Sequence, residues 1–235
     1  MNLLLVSQAD FIAADRVRIT DRRLQHLNAV NQASVGQSLR AGRLGGLQGQ
    51  ATLLSIDQHA AELQLHLQNP SPKKLPITLV LALPRPKMLR RILQTVASMG
   101  VNRLVLINSY RVEKSFWQSP LLRAEAITEQ LILGLEQARD TVLPEVILAK
   151  RFKPFVEDDL PAMAANSRGL IAHPGDYPEC PRALSEPVTL AIGPEGGWIP
   201  YEVDLLCKAG LQPVQLGERI LRVETAVPAL LARLF

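Results

Sequence analysis

Beyond residue 76 the chain alternates short apolar runs with amphipathic helical patterns, and this rhythm restricts the fold more than any other feature. Residues 77–83, Ile-Thr-Leu-Val-Leu-Ala-Leu, are apolar over a strand's length. Residues 87–99 set Leu89, Ile92, Leu93 and Val96 on one helical face and close on Gly100. Further strands are expected at 103–108, 145–149, 169–172, 188–192 and 213–216. Helices are expected at 120–139, 201–209 and 225–234. Apolar strands separated by helices define an α/β domain with a mostly parallel sheet covered on both faces.

The stretch before this region reads differently. Residues 69–76, Asn-Pro-Ser-Pro-Lys-Lys-Leu-Pro, hold three prolines and two lysines. Prolines at this density oppose both helix and central strand, so the stretch is expected to be a linker between domains at 1–70 and 71–235. Residues 47–67 alternate, with Ala51, Leu53 and Ile56 on one side of Asp57-Gln58-His59 and Leu63, Leu65 and Leu67 on the other, which predicts a hairpin. Residues 21–33 carry Leu24, Leu27 and Val30 at helical spacing after Thr20, a suitable N-cap. The first domain is therefore expected to be small and mostly β, with one helix.

Composition excludes several classes. The longest apolar runs fall short of the roughly 20 residues that a spanning helix needs, so no membrane segment is expected. Met1 to Val6 is apolar but lacks a preceding basic segment, unlike a secretory signal. Cys180 and Cys207 stand apart without CxxC spacing, which fits neither a disulfide framework nor a zinc site and agrees with a reducing cytoplasm. His26, His59, His66 and His173 are scattered without metal-ligand spacing, and no metal is expected. The net charge of +4 permits a polyanionic partner. Basic residues gather at Arg85, Lys87, Arg90 and Arg91, and at Arg16, Arg18, Arg22, Arg23, Arg40 and Arg43, either as a solvated face or as phosphate contacts.

Chemistry concentrates near the C-terminus. Ile192-Gly193-Pro194-Glu195-Gly196-Gly197-Trp198 follows one expected strand, and Leu216-Gly217-Glu218-Arg219-Ile220-Leu221-Arg222-Val223-Glu224-Thr225-Ala226 follows another. In open α/β sheets, ligands bind beyond the carboxyl ends of strands, and glycines there let backbone approach a flat ligand. No GxGxxG follows the first strand, where Leu83-Pro84-Arg85-Pro86 stands, and neither a Walker A sequence nor GxSxG occurs. Glu195 and Glu224 are candidate acids, each able to orient a ligand, accept a proton or cap a helix. Arg222 and Glu224, two apart, would share a side in extended chain, as an ion pair or a substrate clamp. His173 ends an expected strand and is either a pocket or a structural residue.

These two motifs in combination resemble the RsmE family, ribosomal RNA small-subunit uridine methyltransferases. The resemblance extends to Leu24-Gln25-His26-Leu27-Asn28-Ala29-Val30, Val35-Gly36-Gln37 and Ala82-Leu83-Pro84-Arg85. It implies a PUA-like β-barrel at the N-terminus and a SPOUT-type α/β domain with a trefoil knot, usually dimeric. Its implied activity is S-adenosylmethionine-dependent formation of 3-methyluridine in 16S ribosomal RNA, in the small ribosomal subunit of the cytoplasm. Cofactor contacts would fall to Ile171, Gly193, Glu195, Gly196, Gly197, Leu216, Gly217, Leu221 and Arg222. Catalysis would fall to Arg85, Arg222 and Glu224, and RNA contacts to Arg16, Arg22, Arg23, Lys87, Arg90 and Arg91. The chain departs from the family's pattern at Pro86-Lys87, at residues 95–101 and at Glu136-Gln137-Ala138-Arg139. A paralogue with another RNA target, an inactive RNA-binding SPOUT protein and a small-molecule methyltransferase remain as alternatives.

Overall fold

The computed structural model describes residues 2–29 and 34–235, which form two compact units. One comprises Met1–Lys73 with Ile132–Leu143, the other Lys74–Leu131 with Pro144–Phe235.

The first unit is built on a five-stranded sheet of order β1-β3-β4-β5-β2, with β1 Leu4–Val6, β2 Arg16–Ile19, β3 Ser38–Arg43, β4 Gln48–Ile56 and β5 Ala61–Asn69. All pairings are antiparallel except β1 with β3. The expected hairpin is β4–β5. Its turn is fixed by the Asp57 carboxylate, which accepts from the backbone N–H of His59 at 2.6 Å and of Ala60 at 2.8 Å. Alternation buries Ala61, Leu63 and Leu65 against Val17, Ile19, Ala51 and Leu53, so one sheet face makes the core. Helix α1, Arg22–Ala29, adds Leu24 and Leu27 to that core. Val30 and the rest of the expected helix through residue 33 lie outside the described residues.

Arg23 is 9% exposed and holds three parts of this unit together. Its guanidinium donates to both Asp10 carboxylate oxygens at 2.9 and 2.7 Å, to Asp21 at 2.7 Å, and to the Leu5 carbonyl at 2.8 Å. Burial raises the Asp10 pKa, but the Arg23 and Ser7 hydrogen bonds outweigh it and hold the carboxyl below its usual range. Asp21 is lowered too, chiefly by its hydrogen bond from Arg23. Arg22 makes a two-pronged pair with the buried Glu136 at 2.9 and 2.8 Å. Of the basic residues read as RNA contacts in this unit, Arg23 is thus a structural tie, Arg22 is half committed to Glu136, and Arg16 stays exposed.

The second unit carries a six-stranded parallel sheet of order β11-β9-β10-β6-β7-β8. Its strands are β6 Leu75–Ala82, β7 Val101–Ile107, β8 Glu145–Ala149, β9 Arg168–Ala172, β10 Val188–Ile192 and β11 Gln212–Val214. Strand β10 is buried at every position, as expected for a central parallel strand flanked on both faces. Helix α2, Pro86–Ser98, buries Leu89, Ile92, Leu93 and Val96, leaving Lys87, Arg90 and Arg91 in water. Helix α3, Ala124–Ala138, crosses from the second unit into residues assigned to the first.

Residues 152–164, for which no element was expected, form α4 (Phe152–Pro154), a π-helical turn (Phe155–Asp159) and α5 (Leu160–Ala164). Helices α6, Pro200–Lys208, and α7, Val223–Leu234, complete the unit. The linker is shorter than expected, because β5 runs to Asn69 and β6 begins at Leu75. Pro76 lies inside β6, where the pairing with β7 shifts register between Leu75 and Thr78 and so absorbs the missing N–H.

Candidate active site

The strand succession runs outward through β6, β7 and β8, then returns to β9 on the other side of β10. Loops leaving the carboxyl ends on either side of such a reversal diverge and open a crevice. Beside that reversal, on the β10-β9-β11 side, lies a cavity of about 340 Å³ lined by residues following β9, β10 and β11, by the start of α7 and by Arg111 after β7.

The turn after β10 is drawn tight by the Gly197 N–H, which donates to the Pro194 carbonyl at 2.8 Å. A Cβ on Gly193 would stand 3.1 Å from the Trp198 backbone nitrogen and 3.3 Å from the Gly197 carbonyl carbon, so backbone fills the space a side chain needs. After β11, Gly217 has φ +110°, which L side chains rarely adopt, and its N–H donates to the Gln215 side-chain oxygen. Gln215 itself is anchored through its backbone to Pro178 at 3.0 Å and Cys180 at 2.8 Å. Both motifs therefore present main chain to the cavity, and Ile192, Leu216, Leu221 and Leu230 give it apolar walls.

Two buried ring nitrogens in the lining, His173 Nδ1 and Trp198 Nε1, have no hydrogen-bond partner among the described residues. An unpaired buried polar atom is costly, and in a cavity wall it marks a position where ligand or water completes the bonding. Burial lowers the His173 pKa, which favours its neutral form. Trp198 is held by a tilted packing on Phe152 with ring centroids 6.0 Å apart. Exposed backbone, apolar walls and unpaired nitrogens suit a flat heteroaromatic ligand with a hydrogen-bonding edge.

Of the residues expected at a cofactor site, Gly193, Glu195, Gly196, Gly197, Leu216, Gly217 and Leu221 line the cavity. Ile171 does not: it is fully buried within β9, and the next two residues, Ala172 and His173, form the wall instead. Glu195 does not cap the helix that follows it; its Oε1 accepts at 3.0 Å from the backbone N–H of Arg85, the N-cap residue of α2, and ties the turn after β10 to the one after β6. The start of α6 is served by Glu202, 2% exposed, which accepts from Ile199 N–H at 3.0 Å and Tyr110 N–H at 2.7 Å.

Arg222 is the N-cap of α7 and Glu224 lies in its first turn, outside the lining. The helix begins between them, so the extended geometry that would put both on one side is absent. Arg85 caps α2 with its side chain exposed.

Sequence reasoning missed Arg111. Its guanidinium donates to the Gly196 carbonyl, and a Cβ on Gly196 would meet its Cδ at 2.9 Å. The available signal was its position just past the carboxyl end of an expected strand. Among the described residues, no three His, Cys, Asp or Glu side chains stand together as a metal site.

The fold, with a glycine-lined cavity beyond the carboxyl ends of β9, β10 and β11, defines a class that comparison identifies. The chain belongs to the RNA methyltransferase domain family, whose model matches residues 71–235. It is 29% identical over 235 residues to the ribosomal RNA small subunit methyltransferase E of Treponema pallidum (strain Nichols), covering 97% of this chain and 88% of that protein. A second relative of the same name, from Synechocystis sp., is 29% identical over 98% of this chain and 76% of its own length. A crystal structure of a ribosomal RNA small subunit methyltransferase E from Neisseria gonorrhoeae, bound to S-adenosyl methionine, superposes with a TM-score of 0.78 at 25% identity over 99% of this chain and 95% of that one. These relatives agree with the resemblance that the two glycine motifs carry.

Proposed function

We propose that this protein methylates N3 of a uridine in 16S ribosomal RNA, with S-adenosylmethionine as the methyl donor. The observation that carries the reading is the cavity itself. It is walled by both motifs of the resemblance, in a chain that aligns almost end to end with a relative bound to S-adenosyl methionine. When bound, that cofactor supplies an electrophilic methyl group on a positively charged sulfur. The main chain at Gly193, Gly196, Gly197 and Gly217 would hold its adenosine, against Leu216 and Leu221. His173 and Trp198 offer unpaired nitrogens for its polar edges.

Uridine N3 is a nucleophile only once its proton is lost. Glu224 is the candidate acceptor of that proton. Arg85 and Arg222 stay charged and are suited to stabilise the uridine anion. Exposed Lys87, Arg90 and Arg91 on α2, and Arg16 in the first unit, would contact RNA phosphates. The same reading includes a PUA-like barrel in the first unit, a knotted C-terminal segment, a homodimer, and the small ribosomal subunit as the cytoplasmic substrate.

The test is transfer of labelled methyl from S-adenosylmethionine to small-subunit RNA by wild type and by Arg85→Ala, Arg222→Ala and Glu224→Ala. The expected result is a fall of about 100-fold or more in kcat for at least one variant, with cofactor affinity changed far less. Undiminished transfer by all three would remove these residues from the mechanism.

A further inference from the structure

Residues 108–123 join β7 to α3 and interleave aromatic and cationic side chains: Tyr110, Arg111, Lys114, Phe116, Trp117 and Arg123. Near its start, at Arg111, this segment lines the cavity described above. Its second half forms one wall of a separate cleft of about 290 Å³ beside the end of β8.

Trp117, Leu122 and Leu148 give the cleft apolar surface, and Arg123 and Lys150 stand exposed in its lining. The Trp117 indole N–H donates to Asn108 Oδ1 at 2.9 Å, which fixes the half-buried ring in one orientation. Leu148 is 37% exposed, a large apolar side chain on an edge strand with no cover. Neither Arg123 nor Lys150 joins an ion pair among the described residues.

A pre-oriented π-face with an apolar floor and unpaired cations is what single-stranded RNA requires, bases stacking on the ring and phosphates meeting the charges. The cleft lies on the same carboxyl edge of the sheet as the candidate active site. From β10 through β6 and β7 to β8 is three strand spacings, roughly 14 Å, a span that a few nucleotides cross.

We propose that the Trp117 cleft is a stacking subsite for a nucleotide flanking the methylated base, with Arg123 and Lys150 binding its phosphates. This rests on the reading of the protein as an RNA methyltransferase. A second copy of the chain or another protein would also cover Leu148, but two unpaired cations beside the ring favour a polyanion.

The experiment measures binding of a fluorescent short oligouridylate to wild type, Trp117→Ala, Trp117→Phe and the double variant Arg123→Glu, Lys150→Glu. S-adenosylmethionine affinity is measured in parallel. Trp117→Ala is expected to weaken RNA binding about 5- to 150-fold, the range for losing one stacked base. Trp117→Phe keeps a π-face and most of the affinity. The double variant lowers the slope of log affinity against log salt by about 1.4, two contacts at roughly 0.7 each, and decides the matter if Trp117→Ala unfolds.

Unchanged affinity and slope in these variants, with wild type still binding RNA, overturns the subsite alone. So does a change in oligomeric mass at constant RNA affinity. A wild type that binds S-adenosylmethionine but no RNA overturns the subsite together with the reading beneath it.

Discussion

Gly193→Val is expected to weaken S-adenosylmethionine binding by about 5- to 150-fold, the effect of forcing added methyl groups into a packed site at roughly 1–3 kcal/mol. The Cβ would lie 3.1 Å from the Trp198 backbone nitrogen and 3.3 Å from the Gly197 carbonyl carbon. Both neighbours are main chain and cannot swing aside as a flexible side chain would. Relief requires the 194–197 turn to move away from the end of β10, and that turn is a wall of the cavity. Gly46→Ala is the control, since its Cβ meets Arg43 only at an ordinary 3.5 Å and its φ is not positive. Calorimetric titration of both variants checks the expectation. Wild-type affinity in Gly193→Val would mean that the cofactor does not depend on this turn.

The two motifs made this wall legible only in combination, because a single glycine turn after a strand is as readily a plain tight turn. Arg111 was not legible, since it stands 85 residues from Gly196 and reaches it only through the strand order β10-β6-β7. Local periodicity explains the other successes. Leu89, Ile92, Leu93 and Val96 predicted a helix at 87–99, and Pro86–Ser98 is found. Residues 145–149 and 188–192 are strands at the expected bounds.

Strands β1 and β3 escaped for opposite reasons. Leu4–Val6 is too short and uniformly buried to alternate, and Ser38–Arg43 carries Arg40, Gly42 and Arg43, which read as polar turn. Their parallel pairing is a long-range feature that no local pattern encodes. In residues 152–164, Pro154 and Pro161 mask a helical segment that the structure accommodates through a π-helical turn. Strand β11 ends at Val214, not 216, which frees Leu216 to face the cavity.

Arg23→Met is expected to destabilise the first unit by about 3 kcal/mol, the lower end of the range for stranding a buried charge. Asp10 and Arg23 are 12% and 10% exposed at the side chain, whereas Asp21 is 52% exposed and water compensates much of its loss. The double variant Arg23→Met, Asp10→Leu should be less destabilised than Arg23→Met alone, because no charge remains unpaired.

Acid addresses the same cluster. The folded carboxyls titrate below the unfolded value of about 3.9, so their contribution is complete above that pH and is lost as pH falls through the lowered folded values. Urea unfolding at neutral pH and below about pH 4 reads both effects. A stability change under about 1 kcal/mol in Arg23→Met would reduce Arg23 to an ordinary surface ion pair and reopen its reading as a phosphate contact.

Nucleoside mass spectrometry of 16S ribosomal RNA from cells lacking this gene, with and without the gene restored, tests whether this protein forms 3-methyluridine there. 3-Methyluridine is expected to disappear from that RNA and to return with the wild-type gene. Persistence of 3-methyluridine at its full level, or loss of a different methylated nucleoside, would contradict the proposed function.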